Sequence, residues 1–164
     1  MTPQLSFNKL YEQDYCLWLE ETAHLLQSRQ FQNVDVKNLV EEILDMGKSQ
    51  KQAVKSNLRI LLMHLLKWKY QSELRSNSWR STIREHRNRL DDAFNDSPSL
   101  KRHFQEVFDE SYQKARDLAA DETGLPFDTF PQLCTFSPEQ TLDFDYLPDD
   151  LEEEISDDDK LEGV

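Results

Sequence analysis

Residues 36–71 read VKNLVEEILDMGKSQKQAVKSNLRILLMHLLKWKYQ, and their pattern predicts the central element of the fold. Its apolar residues return every three or four positions without losing phase, which is the period of an α-helix. The residues on this stripe are Val36, Leu39, Val40, Ile43, Gly47, Gln50, Val54, Asn57, Leu58, Leu61, Leu65 and Trp68. A single continuous helix would span about 50 Å, at about 1.5 Å per residue.

A hairpin is the other structure that fits this stretch. Gly47, followed by Ser49 and Gln52, resembles a helix C-terminus and a new capping box. The unbroken phase favours one continuous or kinked helix, while the glycine leaves a turn open. The choice affects the chemistry because Asp45 and His64 lie about 28 Å apart on a continuous helix. They come together only if the chain folds back.

Three further helices are predicted, over about 11–28, 79–94 and 98–123, from apolar positions with the same period. Gly124 and Pro126 end the last of them. The chain has only three glycines and six prolines, which also favours helices. The fold class is therefore predicted as all-α, a four-helix bundle-like domain with one long central helix.

The C-terminal part divides into two segments. Residues 125–148 hold four prolines and several aromatic residues, which predicts an extended segment that wraps the bundle. Residues 149–164 are acidic and almost free of large apolar groups, which predicts a disordered tail. The expected organisation is a single helical domain over 1–148, followed by the tail.

The charge is unevenly distributed. The formal net charge is −13, yet residues 48–89 carry eleven basic and two acidic side chains, a net of +9. Two interpretations stay open. The basic segment pairs with acidic helices of the same chain, or it binds a polyanion such as a nucleic acid.

Features of other protein classes are missing from the sequence. Cys16 and Cys134 form no CxxC pair, the N-terminus does not resemble a signal peptide, and the longest apolar run is far too short to span a membrane. No phosphate-binding loop or common hydrolase motif occurs. We therefore expect a cytoplasmic protein without a cofactor, and an enzyme is the less favoured reading.

Several short motifs, in this order and spacing, resemble the bacterial domain-of-unknown-function family twenty-nine, which is best known from cyanobacteria. These motifs are Tyr11-Glu-Gln-Asp-Tyr15 with Trp18, Asn38-Leu-Val-Glu-Glu-Ile43 with Asp45-Met-Gly47, His64-Leu-Leu-Lys-Trp68, Ser78-Trp-Arg80 with Ile83 and Arg87, Pro98-Ser-Leu100, Tyr112 with Ala115-Arg116, and Phe130-Pro131. The resemblance covers about residues 10–148. It implies an all-helical fold and no particular activity.

Two groups of residues could carry chemistry. Clustered carboxylates with a histidine suit a divalent metal and a nuclease or hydrolase; these are Glu41, Glu42, Asp45 and His64. Aromatic and basic side chains together suit a ligand or phosphate site; these are His64, Lys67, Trp68, Trp79, Arg80, Arg84 and Arg87. In the alternative interpretation of the second group, the tryptophans belong to the core and the arginines pair with Glu41, Glu42 or Asp45.

The favoured functional prediction is a non-enzymatic interaction module whose partner is another protein. A nucleic-acid-binding protein that uses residues 48–89 and a metal-dependent nuclease or hydrolase are the two alternatives. No membrane partner is expected. The sequence leaves the oligomeric state open.

Overall fold

The computed structural model describes residues 7–148, and this part of the chain contains six α-helices and no β-strand. In chain order they are α1 (Phe7–Gln13), α2 (Tyr15–Gln27), α3 (Val36–Tyr70), α4 (Asn77–Asp96), α5 (Leu100–Thr123) and α6 (Pro138–Leu142). Short 3-10 turns occupy Phe31–Asn33, Ser72–Leu74 and Phe127–Thr129. The all-α prediction is confirmed. The acidic segment 149–164, predicted to be disordered, lies outside the described residues.

The central helix is unbroken. α3 runs for 35 residues and includes Gly47 in its interior, so the hairpin is excluded and the continuous helix is confirmed. A Cβ placed on Gly47 would meet no atom within 4 Å. The helix therefore passes through this glycine on an open part of its surface.

The chain falls into two compact units, and the boundary between them lies after Gln50, inside α3. The first unit contains α1, α2 and the beginning of α3. The sequence predicted a single helix over 11–28, but the chain breaks at Asp14, whose carboxylate accepts a hydrogen bond from the Leu17 amide at 3.0 Å. Asp14 thereby caps a new helix. Trp18 and Leu25 form the buried side of α2.

The second unit holds the larger core. The second half of α3 packs with α4 and α5 through buried apolar side chains, among them Leu58, Leu61, Leu65, Ile83, Leu90, Phe104, Phe108 and Tyr112. The Ser76 hydroxyl accepts from the Trp79 amide and caps α4. Gly124 ends α5 in the left-handed conformation, with φ of 69°, which a glycine adopts without strain.

The segment 125–148 packs on the second unit, as predicted. Phe130 and Phe136 are buried in its core, and Phe130 meets Tyr70 edge to face at 5.5 Å between ring centroids. The segment is extended apart from two short helical pieces. Ser137 and Gln140 form a capping box at the start of α6, which explains the helical turn there.

Candidate interaction surface

The apolar stripe of α3 keeps one phase along the helix, but only its second half is covered. In the second unit Val54, Leu58 and Leu61 are fully buried. In the first unit Val36, Val40 and Ile43 of the stripe and the neighbouring Leu44 are between 47% and 59% exposed, while Leu39 is half-buried. We call these positions the exposed stripe: Val36, Val40, Ile43, Leu44 and Gly47. They follow one another at spacings of four, three, one and three residues, so they share one helix face.

Other apolar side chains of the first unit are also exposed. Leu17, Leu19 and Leu26 of α2 are each about two-fifths exposed, and Phe31 in the following turn is 59% exposed. A small folded unit does not usually leave so many large apolar side chains in water. Such surfaces typically mark a place where another molecule binds.

A polar cluster joins the three helices of the first unit. The hydroxyls of Tyr11 and Tyr15 donate to the two carboxylate oxygens of Glu42, at 2.5 and 2.6 Å. Both rings also pack on Trp18, with centroid separations of 4.9 and 5.9 Å. The hydrogen bond to Glu42 raises the pKa of Tyr11 to about 12, and the same cause raises the pKa of Tyr15. Glu42 therefore holds α1 and α2 to α3.

This cluster changes the interpretation of the carboxylates that the sequence offered for a metal. Glu42 is bound by the two phenols, and Asp45 pairs with Lys48 at 2.9 Å. The turn at Gly47 that would bring His64 to these carboxylates is absent from α3. Within residues 7–148, no group of three or more histidine, cysteine, aspartate or glutamate side chains is arranged to hold a metal ion.

His64 lies in the second unit and is partly buried. Its Nδ1 is 3.1 Å from the carbonyl oxygen of Ile60, one helical turn earlier. Burial lowers the pKa of His64, which favours the neutral imidazole.

Part of the predicted aromatic and basic site does come together. The guanidinium carbons of Arg75 and Arg80 lie 5.1 and 5.5 Å from the centre of the Trp68 ring, which is the geometry of a cation–π contact. The Arg75 side chain also donates to the Trp68 carbonyl at 2.8 Å. These residues, with Ser76 and Asn77, line a shallow cleft of about 560 Å³ at the beginning of α4.

The remaining members of that site are used differently. Lys67 is buried, with its ammonium 2.6 Å from Glu122 and 4.6 Å from the centre of the Trp79 ring. Arg84 is exposed and forms no ion pair with a described residue. The structure thus gathers Trp68 and Arg80 at one cleft, while Lys67 pairs with Glu122 of α5 and lies over the ring of Trp79.

Arg87 is the largest departure from the predicted site. It is only 2% exposed, and its guanidinium donates to the backbone carbonyls of Thr141 at 2.8 Å and Gln140 at 3.4 Å. Burial lowers its pKa to about 10. Arg87 is therefore no surface phosphate contact. The alternative pairing of the arginines with Glu41, Glu42 or Asp45 is also wrong for Arg87, because its partners are backbone carbonyls.

A second buried arginine was missed by sequence reasoning. Arg116 of α5 donates through Nε and a terminal nitrogen to the Phe130 carbonyl, at 3.1 and 2.8 Å. Its guanidinium also lies 4.2 Å from the ring centre of Phe127. The sequence did contain a sign of this burial, because Arg87 and Arg116 each lie on the apolar face of their helix, three or four residues from apolar side chains.

The fold and this surface define an all-helical protein whose first unit exposes an apolar helix face. The chain belongs to the family described as Domain of unknown function DUF29, whose model matches residues 10–147. The resemblance found from the sequence motifs is thereby confirmed. No curated protein and no solved structure matches the chain. Among the described residues, no helix is both long enough and apolar enough to cross a membrane.

Proposed function

We propose that this chain is a non-enzymatic protein-binding module and that the exposed stripe of α3 is its docking surface. The observation that carries the proposal is the abrupt change along a single stripe. The same apolar phase is buried from Val54 onward and half exposed from Val36 to Gly47.

A partner helix suits this surface for a physical reason. Side chains at these spacings present ridges and grooves that another helix fills. Helix-in-groove recognition uses anchors of the same spacing, contributed by large apolar side chains. Each apolar group that the partner covers contributes in proportion to the area removed from water, at about 25 cal/mol per Å².

The pairing and burial of basic side chains in residues 48–89 make the nucleic-acid alternative less favoured than a protein partner. Four of its cations pair with carboxylates of the described chain, namely Lys48, Lys55, Lys67 and Arg89. Arg87 is buried. Lys55, Lys67 and Arg87 are thereby engaged within the second unit, which leaves less positive surface for a phosphate backbone.

We also propose a cytosolic location. Both cysteines are free, and Cys16 is exposed on the first unit. An exposed thiol is typical of a reducing compartment.

Capture from a nuclease-treated lysate of the source organism tests the proposed function. Ile43→Glu places a charge in the exposed stripe, and Leu133→Glu adds the same charge at a 79% exposed position of the second unit. We expect the parent chain and Leu133→Glu to retain the same set of proteins, identified by mass spectrometry, and Ile43→Glu to lose it. Circular dichroism checks that both variants are folded.

Two results would contradict the proposal. The first is equal capture by Ile43→Glu and the parent chain, which would place binding elsewhere. The second is capture that disappears with nuclease treatment, which would favour the nucleic-acid alternative.

A further inference from the structure

We infer that the partner of the exposed stripe is a second copy of this chain, and that the two α3 helices pair antiparallel through their N-terminal halves. This inference rests on the proposed function, because it names the occupant of the same surface. It is argued from the pattern of the stripe, from the charges along its edge and from Gly47.

The stripe is suited to self-association. In a two-fold symmetric contact the same patch serves both copies, so every contact between two different positions occurs twice, and only side chains near the axis meet their own counterparts. Val36, Val40, Ile43 and Leu44 extend over about two turns of helix. Every copy of the chain exposes the same four apolar side chains. A contact centred on the C-terminal part of the stripe therefore covers Ile43, Leu44 and Gly47 in both copies.

The charges beside the stripe indicate the direction of pairing. Glu41 and Lys48 lie seven residues apart, so they occupy the same edge of the helix two turns apart. In an antiparallel pair centred between Leu44 and Asp45, position 41 of one helix lies opposite position 48 of the other. Two symmetry-related attractive pairs result. In a parallel pair the corresponding edges of the two helices lie on opposite sides of the contact, so Glu41 of one copy would not meet Lys48 of the other.

Lys48 is available for this exchange. It pairs with Asp45 at 2.9 Å, but the two side chains are 76% and 64% exposed. An exposed pair of this kind contributes little to stability, so a partner carboxylate can compete for the ammonium.

Gly47 favours a close approach of the two helices. It lies on the stripe less than one turn from the proposed centre, and a Cβ at this position would meet no atom within 4 Å of its own chain. The distance between packed helices depends on the side chains at their contact. The missing side chain therefore leaves room for apolar groups of the second copy.

The oligomeric state of the full chain tests the inference. Sedimentation velocity over a range of concentrations should show a species of twice the 19.5 kDa chain mass. Ile43→Glu should give a monomer. The control Arg102→Glu changes a side chain that is 88% exposed on α5 and should leave the dimer unchanged.

Charge exchange tests the antiparallel geometry. Glu41→Lys and Lys48→Glu, taken singly, should each weaken the dimer about fivefold or more, because both symmetry-related pairs become repulsive. An equimolar mixture of the two single variants should form a heterodimer, since each chain then offers the charges that the other lacks. The double variant E41K/K48E should recover the parent affinity.

The outcomes separate this inference from the proposed function. A parent chain that stays monomeric while Ile43→Glu still abolishes capture of other proteins would overturn only the inference. A monomer whose capture is insensitive to Ile43→Glu would overturn both. A dimer that Ile43→Glu leaves intact, or that the double variant and the mixture fail to restore, would overturn the antiparallel pairing through the stripe.

Discussion

The two halves of α3 differ in what covers them, although they belong to one helix and carry one apolar stripe. From Val54 to Trp68 the stripe is the centre of the larger core. From Val36 to Gly47 it is half exposed. Periodicity therefore marks the face that a helix can bury, while the segments that pack beside the helix determine whether that face is buried.

The two halves of α3 have different numbers of neighbouring segments because of the order of the helices along the chain. α4, α5 and the segment 125–148 all follow α3 and pack in the second unit. Only α1 and α2 precede it, and they bind α3 at Glu42. On a helix Glu42 is about 100° around the axis from Ile43, so this contact leaves the stripe uncovered.

The polar contacts of the two units also differ in how deeply they are buried. The second unit buries the guanidinium groups of Arg87 and Arg116 against backbone carbonyls of its wrapping segment. The first unit joins its helices through phenols on a carboxylate near the surface. The deeper contacts should therefore contribute more to stability.

The largest expected effect separates the two halves of the stripe directly. Leu61→Ala should lower the free energy of unfolding by about 2–5 kcal/mol, because it leaves a cavity in a fully buried site. Ile43→Ala, on the exposed half, should cost less than about 1 kcal/mol when measured at a protein concentration below that of self-association. Urea denaturation of both variants measures the difference. Equal costs would mean that the stripe is covered evenly along the helix.

The next effect concerns the buried arginines of the second unit. Arg116→Met keeps the apolar stem but leaves the Phe130 carbonyl without its donor, so unfolding should become easier by about 2–3 kcal/mol. Arg102→Met removes a surface pair with Glu106 and should cost below about 0.5 kcal/mol. The same denaturation curves give both values. A small loss for Arg116→Met would show that the clamp is dispensable.

A smaller effect should appear at alkaline pH in the first unit. The folded pKa of Tyr11 is raised to about 12 from an ordinary value near 10. The folded state therefore holds its proton more tightly, and the resulting stabilisation is present below pH 10 and is lost as pH rises toward 12. Circular dichroism at about 222 nm, which reports helix content, should show a loss of helix in this pH window. The loss should be smaller in Tyr11→Phe than in the parent chain.

Phenolate absorbance compares the two units in the same titration. Tyr112 also has a raised pKa, but through burial in the second unit. Glu42→Gln should lower the pKa of Tyr11 and Tyr15 toward the ordinary value and leave Tyr112 unchanged. A titration curve that is identical in Glu42→Gln and the parent chain would show that the carboxylate does not hold the phenols.

The smallest expected effect is a gain. Gly47→Ala should stabilise the isolated chain by about 0.5–1 kcal/mol, because alanine loses less conformational freedom in a helix and the position is open. The same substitution should weaken self-association, since the added methyl lies on the stripe. Thermal denaturation at low concentration measures the first effect, and sedimentation measures the second. A loss of stability in the monomer would show that Gly47 is crowded.

Much of the architecture could be predicted from the sequence by itself. The unbroken period favoured a continuous α3 through Gly47, the glycine at 124 predicted the end of α5, and the motif order indicated the family. These features are local or depend on residue order, so a single sequence contains them. The cap at Asp14 was local too, but the apolar period on both sides of it concealed the break.

Which side chains are covered depends on contacts between distant parts of the chain. The sequence suggested that Arg87 is a surface charge, but in the structure its guanidinium donates to the carbonyl of Thr141, 54 residues away. The sequence offered Glu42 as a metal ligand, and in the structure its carboxylate accepts hydrogen bonds from the hydroxyls of Tyr11 and Tyr15. The exposed stripe is indistinguishable in sequence from the buried half of α3. Burial and pairing depend on segments that are distant in the chain, whereas helical periodicity depends only on residues that are close in sequence.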